Sequence, residues 1–121
     1  MINELKEKEV FIFGSNKNGN HLGGAAKQAY DNFGAKWGIG EGLIGKSYAF
    51  PTLNKEMKKV SKSNFMLSIC KLFDCCNENK DKKFLMTKIG CGIAGFGERE
   101  VQHNLDYYEK PDNLIMPDDW I

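Results

Sequence analysis

The most informative segment of the sequence is Val10-Phe11-Ile12-Phe13-Gly14-Ser15-Asn16. Its first four residues form a continuous apolar run, which is typical of a strand that is covered on both faces of a sheet. The glycine, serine and asparagine that follow favour a loop at the end of this strand. We therefore expect a buried parallel strand, and behind it a loop at the edge where α/β sheets bind their ligands.

Extended and helical patterns alternate along the rest of the chain. Apolar residues at helical spacing predict helices, and short apolar runs predict strands. The predicted strands are 47–50, 84–87 and 114–116, and the predicted helices are 25–33, one or two helices within 54–76 with Ser63 as a candidate N-cap, and 98–105. Residues 34–45 hold five of the 13 glycines and predict an irregular loop, and Pro51 is expected to end the second strand. This order predicts an α/β fold with a mostly parallel sheet.

Length and composition restrict the class of protein. The 121 residues fit a single domain, 1–121, and the net charge of +1 gives no overall field that would attract nucleic acid. No apolar run approaches the roughly 20 residues that span a bilayer, and the first residues lack a signal peptide's apolar segment, so we expect a cytoplasmic protein that does not contact membranes. The cysteines at 70, 75, 76 and 91 show no C-x-x-C spacing, so no metal site is expected.

Two glycine-bearing loops, 14–24 and 90–97, each connect a predicted strand to a predicted helix. Glycine lets the backbone approach a phosphate closely, and backbone N–H groups at helix N-termini bind anions. For either loop alone, the better explanation is that its glycines make a turn. Two such loops at one sheet edge favour a diphosphate site.

Residues 40–47, Gly-Glu-Gly-Leu-Ile-Gly-Lys-Ser, match the pattern of a P-loop. A working P-loop leaves a strand and opens a helix. Here 37–39 is not strand-like and 48–51 is extended, so we interpret the match as a coincidence that predicts no ATPase.

Four blocks of sequence together resemble the macrodomain-like superfamily, and in particular its small bacterial and phage proteins. The blocks are 13–16 (Phe-Gly-Ser-Asn), 21–26 (His-Leu-Gly-Gly-Ala-Ala), 42–52 (Gly-Leu-Ile-Gly-Lys-Ser-Tyr-Ala-Phe-Pro-Thr) and 87–96 (Thr-Lys-Ile-Gly-Cys-Gly-Ile-Ala-Gly-Phe). The resemblance covers roughly residues 9–116. It implies a compact three-layer α/β/α domain with a mostly parallel central sheet that binds a small-molecule nucleotide, ADP-ribose or an NAD-derived relative, without a cofactor.

The resemblance also implies roles for particular residues. Asn16 is similar to the asparagine that hydrogen-bonds the distal ribose, and Phe96 to the aromatic residue that covers it. The implied ligand-binding residues are Gly14, Ser15, Asn16, His21, Gly23, Gly24, Ala25, Gly90, Cys91, Gly92, Ile93, Ala94, Gly95 and Phe96. From the residues alone, Asn16 is equally explained as a turn residue, His21 as a surface loop residue and Phe96 as part of the core. Trp37 and Tyr48 are candidates for stacking on adenine.

The chain departs from the family pattern in three ways. Residues 1–9 contain no G-D-I-like segment, which carries the acidic residue that reads adenine in many macrodomains, and Ala26 stands where some hydrolases of the superfamily carry an aspartate. The chain is also short, so the pocket is expected to be more open or completed by a second subunit. We therefore expect a protein that binds an ADP-ribose-like nucleotide. The sequence does not separate simple binding from sequestration of a nucleotide signal, in the host cytoplasm if a phage encodes the protein. The alternative is an ADP-ribosyl hydrolase or ADP-ribose-1″-phosphate phosphatase, for which Asn16 and His21 are the only catalytic candidates.

Overall fold

The computed structural model describes residues 2–120, which form one α/β domain around a five-stranded sheet. In chain order the elements are β1 (Glu9–Asn16), α1 (Gly24–Asn32), β2 (Gly42–Ile44), β3 (Ser47–Leu53), α2 (Lys62–Glu78), β4 (Lys83–Met86), α3 (Glu98–Leu105), β5 (Leu114–Ile115) and a 3₁₀ turn (Asp118–Trp120). The predicted first strand is confirmed, but the prediction of a loop at residues 14–16 is wrong: they continue β1 to Asn16 because they pair with β3. The helix predicted over 98–105 is α3.

The strand order in the sheet is β2-β3-β1-β4-β5. β1 lies at the centre and pairs in parallel with β3 and β4, and β4 pairs in parallel with β5. β2 pairs antiparallel with β3 at one edge, so the sheet is mixed but mostly parallel, as expected. The parallel pairing brings the carboxyl ends of β1, β3 and β4 to the same edge of the sheet.

Helices cover both faces of the sheet, and the side chains of β1 alternate between these faces, with apolar residues on each. Phe11 and Phe13 pack with Ala29 of α1 on one face. Val10 and Ile12 lie on the other face, in a larger core that contains apolar residues of α2 and α3. The continuous apolar run of β1 therefore supplies both cores, which explains why it does not alternate with polar residues.

The prediction that residues 34–45 contain no regular element is wrong for 42–44. These residues form β2, where Gly42 pairs with Ala49 and Ile44 with Ser47. Gly45 makes the hairpin turn with φ +58°, and a Cβ atom there would lie 3.1 Å from the Cα of Gly34. Three residues containing a glycine carry no readable strand pattern, so pairing with β3 determines this element.

Pro51 does not end its strand, since β3 continues to Leu53. Proline cannot donate a ladder hydrogen bond, and it is tolerated where a neighbouring strand does not require one. β2 pairs with β3 only as far as Ala49, so Pro51 lies beyond the end of this hairpin.

The predicted helical region 54–76 contains a turn followed by a single helix. α2 begins at Lys62 with Ser61 as its N-cap, whose side chain accepts a hydrogen bond from the Asn64 N–H at 3.2 Å. The expected N-cap Ser63 lies inside the helix. Residues 54–58 instead form a turn, in which the N–H groups of Glu56 and Lys58 donate to the side chain of Asn54. Across residues 2–120, no helix combines the length and apolar character needed to cross a membrane.

Candidate functional site

The candidate site is a cleft of about 720 Å³ at the carboxyl edge of the sheet. It collects the ends of β1 and β3, the segment after β4, the loop before α1 and the loop before α3. The lining residues are Gly14, Ser15, Asn16, Asn20, Leu22, Gly23, Gly24, Ala25, Ala26, Thr52, Leu53, Met57, Thr87, Lys88, Ile89, Gly90, Gly92, Ile93 and Ala94. This is the edge of an α/β sheet where ligands bind.

A second depression, of about 400 Å³, lies between α2 and α3 and is lined by residues of these helices and of the segment after α3. It touches none of the strand ends or glycine loops. We place the candidate site in the larger cleft because only that cleft combines parallel strand ends with loops that open a helix.

The loop after β1 is fixed by the side chain of Asn16. Its Nδ2 donates to the carbonyl of Asn20 at 2.8 Å, and its Oδ1 accepts from the Asn20 N–H at 3.1 Å. Asn16 is buried and lines the cleft. It therefore acts as a turn residue that closes its own loop, and its amide also forms part of the cleft wall.

The N-terminus of α1 forms a second part of the wall. The helix begins at Gly24, its N-cap Gly23 provides no side chain to cap it, and its first turn contains no acidic residue. The first hydrogen bond into this helix is donated by the N–H of Lys27, so the N–H groups of Gly24, Ala25 and Ala26 have no acceptor among the described residues. Such a helix end carries a partial positive charge and favours an anion.

The loop between β4 and α3 provides a similar set of donors. The N–H groups of Cys91, Gly95 and Phe96 bond to carbonyls within the loop. Those of Gly92, Ile93 and Ala94 have no acceptor in the part of the chain that the structure describes. Successive unpaired N–H groups of this kind form anion-binding concavities.

Gly90 begins this loop with φ +75° and lies against the Phe96 ring. A Cβ atom added to Gly90 would lie 2.7 Å from Cδ2 of Phe96, so only glycine fits here. Phe96 is buried in the core and packs on Phe65 with ring centroids 4.7 Å apart. The structure therefore places Phe96 beneath the loop, and Phe96 does not line the cleft.

His21 also lies outside the cleft. Its ring is only 2% exposed, its Nε2 lies 2.9 Å from the carbonyl of Lys36, and the ring contacts Phe13 edge-on at 5.4 Å. Its Nδ1 has no partner among the described residues. His21 thus joins two surface loops. The interpretation of His21 as a surface loop residue is wrong, because its side chain is buried.

The remaining sequence candidates divide clearly. Ten of the implied ligand-binding residues line the cleft: Gly14, Ser15, Asn16, Gly23, Gly24, Ala25, Gly90, Gly92, Ile93 and Ala94. Cys91 and Gly95 belong to the same loop but do not line the cleft, and burial raises the pKa of the Cys91 thiol. The stacking candidates do not reach it either, because Tyr48 is buried in the core and Trp37 packs on Tyr30 at 5.9 Å.

Sequence reasoning missed the residues that the other strands contribute. Thr52 lies at the end of β3, and its hydroxyl donates to the carbonyl of Ser15 at 3.2 Å. Thr87 follows β4 and donates to the carbonyl of Ile12 at 2.8 Å. The rule that ligands bind at carboxyl ends of parallel strands, applied to β3 and β4 as well as to β1, would have found both.

The electrostatics of the cleft favour an anion and provide no general base. Lys88 is the only charged residue among those that line it, and none of the others is an Asp, Glu, His or Cys. The Lys88 ammonium is already paired, with Asp119 at 2.6 Å and Glu98 at 3.3 Å. The hydrogen bond from Lys88 to Asp119 raises the pKa of Lys88. Within residues 2–120 no three His, Cys, Asp or Glu side chains are grouped as metal ligands would be.

Comparisons with known proteins assign no family to this chain. No family model matches it, and no match was found among the curated proteins or the solved structures. The geometry of the cleft therefore carries the functional argument.

Proposed function

We propose that the chain is a macrodomain-like protein whose cleft binds ADP-ribose or an NAD-derived relative through its diphosphate. The observation that carries this proposal is the pair of unpaired donor sets, the N–H groups of residues 24–26 and those of residues 92–94, in the walls of one cleft. A diphosphate offers enough acceptor oxygens for both sets. The cleft volume of about 720 Å³ also falls within the usual range for small-molecule sites, about 300–1,000 Å³.

The same cleft favours binding over hydrolysis. General acid–base catalysis needs a titratable group within hydrogen-bond reach of the reacting proton. Ala26 lines the cleft where the resemblance expects an aspartate in hydrolases, and His21 is enclosed behind Phe13. The physiological role that fits a site with donors but no base is sequestration of a nucleotide signal.

Calorimetry with ADP-ribose, its cyclic isomers and NAD tests the proposal directly. We expect a saturable heat with at least one of them. A ligand concentration of about 1 mM is high enough to detect a binding free energy of about −4 kcal/mol, so the absence of any heat at this concentration would refute the site.

A pair of glycine variants tests whether the binding occurs in this cleft. Gly24 has φ +60° and lines the cleft, whereas Gly38 has φ +88° and lies outside it, and both have open space where a Cβ would stand. Gly24→Val and Gly38→Val therefore introduce comparable backbone strain. Only Gly24→Val is expected to abolish binding, because its branched side chain occupies the approach to the α1 N–H groups. Equal loss of affinity in both variants would contradict this location.

A further inference from the structure

The mouth of the cleft carries three exposed apolar side chains from three separate loops. Leu22 is 77% exposed, Met57 48% and Ile93 95%, and all three line the cleft. Large apolar side chains at a cleft rim gain stability only when something covers them. They are therefore available to pack against the body of a bound ligand.

Met57 is held at this rim by a turn that the chain builds with several hydrogen bonds. Asn54 accepts through Oδ1 from the N–H groups of Glu56 and Lys58, at 3.0 Å each, and its carbonyl accepts from the Met57 N–H at 3.0 Å. Asn18 ties this turn to the loop after β1 by donating to the carbonyl of Lys55 at 2.9 Å. The turn thus has a fixed position beside the cleft.

The backbone of Met57 is strained, with φ +60°. An L residue other than glycine rarely adopts this conformation, and glycine would adopt it without cost. Residues held in such conformations cluster at ligand sites. A strained methionine at a position where glycine would fit better indicates that its side chain has a use.

Few polar side chains in the cleft are free to read the edge of a base. Among the uncharged ones, only the amide of Asn20 makes no hydrogen bond within the described residues, and Asn20 is half-buried and open to water. The amide of Asn16 is occupied by Asn20, the hydroxyls of Thr52 and Thr87 donate to backbone carbonyls, and the hydroxyl of Ser15 donates to the carbonyl of Gly40. Selective base recognition requires buried polar groups that are left unpaired by the wrong base. Contact with the flat face of a base does not discriminate between bases, because all bases present a similar face.

We propose that Met57 packs against the face of the ligand's base, and that the cleft accepts nucleoside diphosphate riboses with little regard to which base they carry. This inference rests on the proposed function and specifies its substrate class. A thioether packs well on an aromatic ring because sulfur is polarisable and the side chain is flexible. Leu22 and Ile93 extend the apolar surface around it.

The first test compares bases. Affinities for ADP-ribose, inosine diphosphate ribose and guanosine diphosphate ribose are measured by calorimetry and are expected to agree within about threefold, since only the face of the base is recognised. A preference of tenfold or more for one base would overturn the inference while leaving the proposed function intact. If none of the three binds, the proposed function fails, and the inference fails with it.

The second test removes the Met57 side chain without disturbing the turn. Met57→Gly keeps the φ value free of strain, so the protein stays folded, and Met57→Leu restores apolar contact. Lys8 is the matched control, because it also has positive φ, 68°, and does not line the cleft. Lys8→Gly is therefore expected to leave binding unchanged.

We expect Met57→Gly to weaken ADP and ADP-ribose binding about three- to tenfold, in the range of a sulfur–aromatic contact, and Met57→Leu to recover most of it. Binding of ribose 5-phosphate, which has no base, is measured by ligand-observed NMR and should not change. Equal weakening of ribose 5-phosphate and ADP, or normal ADP binding by Met57→Gly, would refute the role of Met57.

Discussion

Introducing a negative charge into the first turn of α1 should change stability and affinity in opposite directions. Ala26 is the third residue of this helix, lines the cleft and has an N–H group without an acceptor. Ala26→Glu adds a carboxylate at the positive end of the helix dipole. Ala26→Gln has nearly the same shape without the charge and is the matched control.

The two effects can be estimated separately. A carboxylate in the first turn of a helix stabilises it by about 0.3–1 kcal/mol, so the free energy of unfolding should be higher for the Glu variant than for the Gln variant. A diphosphate with about two negative charges, roughly 6 Å from that carboxylate, is repelled by about 1.4 kcal/mol at the dielectric constant of water, about 80. This corresponds to about tenfold weaker binding.

Chemical denaturation of the free protein and calorimetry with ADP-ribose measure both quantities for both variants. The affinity difference should shrink as salt is raised to about 0.5 M, since the charges at the cleft are partly exposed and are screened. If the Glu variant binds ADP-ribose as tightly as the Gln variant at low salt, the phosphates do not lie at α1. If it is also no more stable, this helix end does not act as an anion site at all.

Four further outcomes are expected. Asn16→Ala should weaken ADP-ribose binding by about 1–3 kcal/mol, because it removes an amide from the cleft wall and opens the loop to Asn20; unchanged calorimetric affinity would show that neither matters. Lys46→Ala should leave nucleotide binding unchanged, since the Lys46 ammonium bonds to the carbonyls of residues 5 and 6. The native protein should show no magnesium-dependent ATPase activity, and ATP turnover that is lost in Lys46→Ala would contradict this. The protein should release no product from mono-ADP-ribosylated protein or ADP-ribose-1″-phosphate in a chromatographic assay; many turnovers per minute would favour the hydrolase. The hydrogen bond from Lys88 lowers the pKa of Asp119. The stability that this pair contributes should therefore be present above the ordinary carboxyl pKa of about 4 and be lost as pH falls through the lowered value. Acid unfolding monitored by circular dichroism measures this loss, and an acid-unfolding curve that is the same in Asp119→Asn would argue against it.

The elements that the sequence predicted well are those whose pattern follows directly from local physics. β1 was evident because four consecutive apolar residues need cover on both faces, and α3 because acidic residues begin its first turn. β2 was missed since three residues in a glycine-rich segment become a strand only by pairing with β3. The start of α2 was placed too early because Met57 and Val60 fit a helical spacing that the turn at Asn54 interrupts.

The candidate site was partly predictable for a related reason. The glycine loops and Asn16 were found because their backbone chemistry depends on residue type. The burial of a side chain in a loop does not depend on residue type alone. The sequence therefore could not show that His21 is enclosed by Phe13 and Lys36 or that Phe96 lies under Gly90. The contributions of Thr52 and Thr87 depend on strand order, which no local pattern contains.

A cleft whose donors belong to the backbone places unusual demands on its sequence. The N–H groups of residues 24–26 and 92–94 would be present with almost any side chain, so what matters at these positions is φ and free space. Gly24 and Gly90 have positive φ, and a Cβ on Gly14 would lie 3.3 Å from the nitrogen of Gly90. Substitutions at such points should therefore damage the site by changing the backbone path, whereas changes of charge or polarity elsewhere on the rim should alter affinity and leave the binding geometry intact. The strained methionine at the rim is the exception that tests this view, because there the chain retains a side chain where glycine would be the easier choice.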